Sequence, residues 1–184
     1  AIFLTISRLV EVKDISLQIN AFKVIISKYP NSELWIVGDG PEADKLKKLT
    51  NDLDLKESIK FWGRQEDVGK FYRKADIFLL TSESEGWGMV VIEASSYGLP
   101  IIMTDVGCAG EVIVNNKNGI VIPINQLEPL ISAMERLISN YNLRGELGNQ
   151  ARLAISNLPN LKQTLTFYYE GWMKMLNNQK NNEN

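Results

Sequence analysis

The sequence predicts an α/β fold, namely a doubly wound, Rossmann-like parallel sheet of about six strands with helices on both faces and extra C-terminal helices. Short apolar runs, typical of strands buried on both faces, alternate six times with stretches of helical periodicity. Strands separated by helices pair in parallel and are joined by right-handed crossovers. With 184 residues, the chain is long enough for one such domain with a substantial core.

These patterns assign the elements in chain order. Strands are predicted at 1–6, 33–37, 59–62, 76–81, 100–104 and 119–122. Helices are predicted at 15–29, 42–53, 66–73, 89–97, 109–114, 127–141, 143–156 and 161–176. Asp14 is placed to cap the first helix, and Pro30 follows its end. The polar residues 177–184 are predicted to form a disordered tail, so the domain spans 1–176.

The composition excludes several kinds of function for these residues. The net charge of −2 gives no sign of a surface for nucleic acid or for a membrane. No apolar run reaches the ~18 residues that a transmembrane helix needs. The single cysteine, Cys108, rules out an internal disulfide and fits a reducing cytosol. The absence of histidine excludes Ser-His and Cys-His catalysis and HExxH metal sites within the chain.

The stretch 83–98, ESEGWGMVVIEASSYG, carries the clearest sign of a ligand site. It follows a buried strand, and Gly86 and Gly88 at the turn allow a ligand to approach the backbone closely. The first amides of the following helix favour an anion. Glu85 and Glu93 bracket this corner with acceptors for hydroxyl groups. A nucleotide-sugar, with phosphates between two sets of hydroxyls, has this chemistry.

The form E-G-aromatic-G-x-x-x-x-E-A, with seven residues between Glu85 and Glu93, resembles the signature of retaining glycosyltransferases of the GT-B fold. The resemblance implies the C-terminal, donor-binding domain of an enzyme that moves a hexosyl unit from a nucleotide diphosphate sugar to an acceptor hydroxyl. A UDP-sugar is the first choice, with retention of configuration and no metal or other cofactor. Surface polysaccharide or glycolipid assembly is the expected setting.

The same resemblance implies a partner domain. An acceptor-binding domain should precede this one, and it is absent from the chain, which opens directly on a strand-like run. We therefore expect the isolated domain to be inactive and the full-length protein to be cytoplasmic, with any attachment to the inner membrane face made through the missing domain. The aromatic residues of the last helix, among them Trp172, would then be left as an exposed apolar patch.

Three further segments resemble family motifs. The segment S-R-L-V-E-V-K-D at 7–14 resembles the family's G-R-L-x-x-x-K-G, with Ser7 and Asp14 in place of glycines. The segment 61–64 resembles an f-x-G stretch whose backbone holds the nucleotide base. The segment 104–111 resembles T-x-x-G-G-x-x-E, with Cys108 at the second glycine, a change expected to restrict backbone approach near the donor sugar.

These segments give the expected site residues. Three residues are expected to be catalytic, in contact with the diphosphate or the donor sugar: Arg8, Lys13 and Glu85. The expected nucleotide- and donor-binding residues are Gly63, Arg64, Gly86, Trp87, Gly88, Met89, Val90 and Glu93. Glu93 is expected on the ribose and Glu85 on the donor sugar, both paired only when ligand is present.

Three alternatives remain open on the sequence. The segment 38–43, GDGPEA, matches a G-x-G-x-x-A dinucleotide fingerprint between a strand and a helix, and Arg64 follows the next strand as in an NADP site. Against it, Pro41 lacks an amide for a phosphate. Half of a nucleotide-sugar epimerase shares the fold, but such an enzyme is expected to use histidine. A non-catalytic sugar-binding module would show no dependence on a nucleotide.

Overall fold

A computed structural model describes residues 1–159 and 161–182 and confirms the predicted fold class. Six parallel strands form one sheet in the order β3-β2-β1-β4-β5-β6. The strands are β1 (Ile2–Ile6), β2 (Glu33–Val37), β3 (Ile59–Phe61), β4 (Ile77–Leu80), β5 (Ile101–Thr104) and β6 (Ile120–Ile122). Each lies within one residue of its predicted bounds, because apolar runs closed by polar or glycine residues mark strand ends well.

Helices cover both faces of the sheet. They are α1 (Ile15–Lys28), α2 (Ala43–Asp52), α3 (Gly69–Tyr72), α4 (Met89–Ser96), α5 (Leu127–Ser139), α6 (Tyr141–Ser156) and α7 (Leu161–Asn182). Neighbouring residues of β1 enter different apolar clusters: Phe3 packs with α1 and α5, and Leu4 with α3 and α4. Phe3 meets Phe22 of α1 edge to face, with ring centroids 6.2 Å apart. The alternation of a strand's side chains therefore builds two core layers.

The strand order reverses between β1 and β4. Phe3 pairs with Ile77 and Leu4 with Phe78, while β2 and β3 continue to one side and β5 and β6 to the other. At such a reversal the loops leaving the two central strands diverge and open a crevice beyond their carboxyl ends. The loops after β1 (7–14) and β4 (81–88) flank this crevice, which is where the sequence places most candidate residues.

Asp14 caps α1, as predicted. Its carboxylate accepts hydrogen bonds from the Leu17 amide at 3.1 Å and the Ser16 hydroxyl at 2.7 Å. Its backbone is left-handed, with φ 41° and ψ 52°, and it also ends a short 3-10 turn at Glu11–Lys13. The cap offsets the cost of this conformation and fixes the direction in which the loop enters the helix.

One helix prediction, at 109–114, is wrong, and two others have different bounds: the helix predicted at 66–73 begins only at Gly69, and that predicted at 127–141 ends early. Residues 109–114 form a turn with an isolated bridge between Ala109 and Ile113, because Gly107 and Gly110 adopt left-handed conformations that a helix does not contain. The helix predicted at 127–141 ends at Ser139, since Asn140 is extended and caps α6 by accepting from the Leu143 amide at 3.0 Å.

The last helix is longer than predicted and carries an exposed aromatic face. Phe167, Tyr168, Tyr169 and Trp172 are each 63% exposed and form an apolar patch on this helix. Helix α7 continues to Asn182, so residues 177–182 of the predicted disordered tail are helical here; no glycine or proline interrupts them. Residues 183 and 184 lie outside the described part. No helix within the described residues is long and apolar enough to cross a membrane.

The contact between α6 and the turn after α4 yields a stability prediction. A Cβ at Gly148 would lie 2.0 Å from the carbonyl oxygen of Gly98, so Gly148→Ala forces the backbone apart and should lower the free energy of unfolding by ~1–3 kcal/mol. Gly145, on the same helix, has open space around it, and Gly145→Ala should raise stability by ~0.5–1 kcal/mol. Urea denaturation measures both; equal effects of the two substitutions would contradict this packing.

Candidate functional site

The two loops at the strand-order reversal are joined by an ion pair. Lys13 Nζ, from the loop after β1, lies 2.6 Å from Glu85 Oε1, from the loop after β4. Their side chains are only 20% and 12% exposed, so water screens the attraction less than on an open surface. The Ser82 hydroxyl donates to the same oxygen at 2.7 Å. The expectation that Glu85 is unpaired without ligand is therefore wrong.

The backbones of these loops are also bonded to each other. The Glu83 amide donates to the Val12 carbonyl at 2.8 Å. The Thr81 hydroxyl lies 3.0 Å from the carbonyl oxygens of Lys13 and Asp14, and it accepts from the buried Gln18 amide at 2.9 Å. Lys13 and Glu85 are thus held in place by main-chain contacts as well as by their own charges.

The amino end of α4 opens beside this pair. Gly88 is its N-cap, with φ 78°, and no side chain caps it among the described residues. Trp87 and Met89 next to it are exposed, and the Trp87 carbonyl accepts from the Cys108 amide at 3.1 Å. The loop after β5 packs closely here, since a Cβ at Gly107 would lie 3.0 Å from the Glu85 Cβ. The corner thus presents helix amides, which favour an anion, to solvent.

Glu93 lies on the exposed side of α4, apart from the Lys13–Glu85 pair. Its Oε2 accepts a 2.9 Å hydrogen bond from the hydroxyl of Tyr72, on α3. Glu93 is therefore also paired without ligand, contrary to expectation.

Arg8 and Arg64 line one cavity of about 480 Å³, together with Ser7, Asp39 and the glycines at 38 and 40. Neither guanidinium forms a salt bridge within the described residues. The one acid in the lining, Asp39, accepts from the Gly40 amide at 2.8 Å. Two guanidinium groups around one cavity make it suited to an anionic ligand.

The glycines of the G-x-G-x-x-A segment are required by the packing of the chain on itself. A Cβ at Gly40 would lie 2.3 Å from the Leu9 carbonyl oxygen, and one at Gly38 would lie 1.8 Å from that of Ser7. A dinucleotide phosphate would need the free amides at the start of this helix. The amide of Glu42 there already donates to the Leu9 carbonyl. The dinucleotide alternative therefore loses its main support.

Cys108 is fully buried in an apolar cluster with Met103 and Ile113. Burial raises the pKa of its thiol to about 11, so it stays protonated at neutral pH. Its side chain is part of the core beneath the loop, as expected of a small buried thiol. It therefore does not stand at the loop surface.

The structure adds residues that the sequence did not single out. Ser82 and Tyr72 hydrogen-bond the two glutamates, and Gln18 ties the loop after β4 to α1. The Gly63 carbonyl, in the stretch expected to hold a base, accepts from the Gly38 amide at 2.8 Å. Apart from Ser82, each partner is distant in sequence, so no local pattern reveals the contact.

The chain has relatives among known protein families. A family model for glycosyl transferases group 1 matches residues 1–154. The chain belongs to this family. An uncharacterized glycosyltransferase of Haemophilus influenzae is 33% identical over 151 residues, covering 82% of this chain and 43% of its own length. The chain spans less than half the length of the first curated relatives that it matches.

Several solved structures share the fold. A variant of S. aureus TarM in complex with UDP, alpha-GlcNAc-glycerol and fondaparinux superposes with a TM-score of 0.86 at 27% identity, over 92% of this chain and 34% of that one. The C-terminal domain of LpcC, a group 1 family protein from Francisella tularensis, gives 0.76 at 26% identity over 84% of this chain and 83% of that one.

The burial of Cys108 gives a chemical prediction. Disulfide exchange needs an accessible thiolate, so Ellman's reagent at pH 8 should label the folded protein slowly and the urea-unfolded protein at once. The pKa is raised from 9.0 to about 11 in the folded state, so the free energy of unfolding should fall as the pH rises across that window. Rapid labelling of the folded protein would contradict the burial. A Cys108→Ser variant, which has no thiol, gives the background signal.

Proposed function

We propose that this chain is the domain of a retaining glycosyltransferase that binds a nucleotide diphosphate sugar, a UDP-sugar in the first place. The observation that carries the proposal is the Lys13–Glu85 pair, which joins two loops at the strand-order reversal beside an uncapped helix N-terminus. Family membership and the likeness to TarM, solved in complex with UDP, support it.

In this proposal the diphosphate lies between Arg8, Lys13 and the amides of Met89 and Val90. The ammonium group of Lys13 has three donors, of which Glu85 takes one, so two remain for phosphate oxygens. Arg8 adds a charge that has no salt-bridge partner among the described residues. These groups would stabilise the leaving diphosphate without a metal ion; within the described residues no cluster of three or more His, Cys, Asp or Glu is placed to hold one.

Glu93 and Glu85 would bind different ends of the donor. Glu93 would accept ribose hydroxyls, and Glu85 would accept a hydroxyl of the transferred sugar beside the Gly86-Trp87-Gly88 turn. The backbone of Gly63, with Arg64 beside it, would hold the base. In the reaction the bond from the anomeric carbon to the diphosphate oxygen breaks and a bond to the acceptor oxygen forms on the same face. The acceptor's proton leaves with the diphosphate.

The acceptor-binding site would lie in another part of the full-length protein. The likeness to the separately solved LpcC domain, 83% of which this chain covers, supports a C-terminal position for the chain. The exposed aromatic face of α7 would be covered by that other part. We propose cytoplasmic assembly of a surface polysaccharide or glycolipid as the role of the whole enzyme, in keeping with the buried reduced cysteine.

Calorimetric titration tests the diphosphate site. The chain should bind UDP in the presence of EDTA, and Arg8→Ala and Lys13→Ala should each weaken binding by ~1.5–3 kcal/mol, because each removes a charged hydrogen-bond donor. The matched control is Lys28→Ala, which breaks the Lys28–Glu135 pair at the far end of α1 and should leave UDP affinity unchanged.

Two results would count against the proposal. If neither Arg8→Ala nor Lys13→Ala changes affinity for UDP, GDP or ADP, the two residues are not at the site. Binding of sugars with no dependence on a nucleotide would favour a sugar-binding module instead.

A second titration separates the two glutamates. Glu93→Ala should weaken UDP and the UDP-sugar by similar amounts, ~1–3 kcal/mol, since the ribose is common to both. Glu85→Ala should weaken only the UDP-sugar; UDP alone should bind as well or better, because Lys13 loses its counterion. UDP-glucose and UDP-N-acetylglucosamine serve as sugar nucleotides. Equal losses for UDP and UDP-sugar in Glu85→Ala would reverse the assigned roles.

A further inference from the structure

Tyr72 is a buried residue whose hydroxyl has one hydrogen-bond partner within the described residues, and that partner is the candidate site residue Glu93. Its side chain is 2% exposed, on the short helix α3, and its hydroxyl donates to Glu93 Oε2 at 2.9 Å. The two residues come from different βα units and are 21 positions apart. A buried tyrosine needs a partner for its hydroxyl, and this one finds it in a carboxylate at the protein surface.

The ring of Tyr72 is fixed on two sides. It stacks on Tyr97, at the end of α4, with ring centroids 5.2 Å apart and planes at 24°. It also packs against Phe78 of β4, with centroids 5.9 Å apart. The hydroxyl therefore has a fixed position, set by the sheet and by the helix that carries Glu93.

The hydroxyl is a donor over the whole working pH range. Burial, reinforced by the neighbouring Glu93 carboxylate, raises the pKa of Tyr72 far above its ordinary value of 10.0. A protonated phenol offers one hydrogen, and it is given to Oε2 of Glu93. The other carboxylate oxygen, Oε1, keeps its acceptor sites for a ligand.

We propose that Tyr72 is a positioning residue that holds Glu93 with Oε1 ready to accept a vicinal diol, the ribose of the nucleotide. This rests on the proposed function, which places the ribose at Glu93. An exposed glutamate has several rotamers, and ordering it on binding costs affinity. The contact with Tyr72 removes that cost before the ligand arrives, so the gain should appear only with ligands that carry the diol.

The test compares UDP with 2′,3′-dideoxy-UDP, which lacks the hydroxyls. Tyr72→Phe keeps the stacked ring and leaves Glu93 in water, so the fold should persist; circular dichroism and the melting temperature check it. We expect Tyr72→Phe to weaken UDP by roughly 3- to 10-fold and to leave the dideoxy nucleotide unchanged. Tyr97→Phe is the matched control, since it removes a neighbouring hydroxyl that does not contact Glu93, and should change neither affinity.

A purely structural role gives a different result, since equal losses for both nucleotides would overturn the proposal. So would an unchanged UDP affinity in Tyr72→Phe when Glu93→Ala weakens UDP, and in that case the proposed function would stand. Failure of the unmodified chain to bind UDP would instead reject the proposed function. In a Glu93→Ala background, Tyr72→Phe should have no further effect on UDP; an undiminished loss there would also refute the positioning role.

Discussion

The pairing of β1 with β4 is the constraint on which the site depends. It is a short parallel ladder, Phe3 to Ile77 and Leu4 to Phe78, yet it joins the two halves of the sheet. Because both strands end at the same edge, their loops leave side by side, and the Thr81 hydroxyl can reach the Lys13 carbonyl. The ion pair across the crevice follows from this register, since a slip of one residue would turn alternate side chains to the opposite faces.

The charges of the site divide into a balanced set and an unbalanced set. Lys13 and Glu85 neutralise each other and remain close without a ligand. Arg8 and Arg64 line their cavity with no salt-bridge partner among the described residues, so they supply the local excess of positive charge. In the proposed function the first set orders the loops and offers the remaining donors of Lys13 to the diphosphate, while Arg8 of the second set adds its charge to the same anion site.

The strands, the fold class and the helix-capping role of Asp14 could be predicted from the sequence, because each rests on a local pattern. It failed where long-range contacts decide. The bonds of Glu85 to Lys13 and of Glu93 to Tyr72 join residues 72 and 21 positions apart, and no periodicity reports them. The helix predicted at 109–114 is absent for another reason. Two left-handed glycines hold that loop in a turn, and the Asn118 side chain accepts a hydrogen bond from the Val114 amide at 2.6 Å.

Two residues that differ from the motifs this sequence resembles have a structural role, one in the backbone of a loop and one in the core. Asp14 stands where glycine is usual, and its φ of 41° explains why glycine is the usual choice; the carboxylate compensates by capping α1. Cys108 also replaces a glycine, but the left-handed conformation belongs to its neighbour Gly107, and the thiol fills core volume. Neither change removes a charged residue that the proposed function assigns to the ligand.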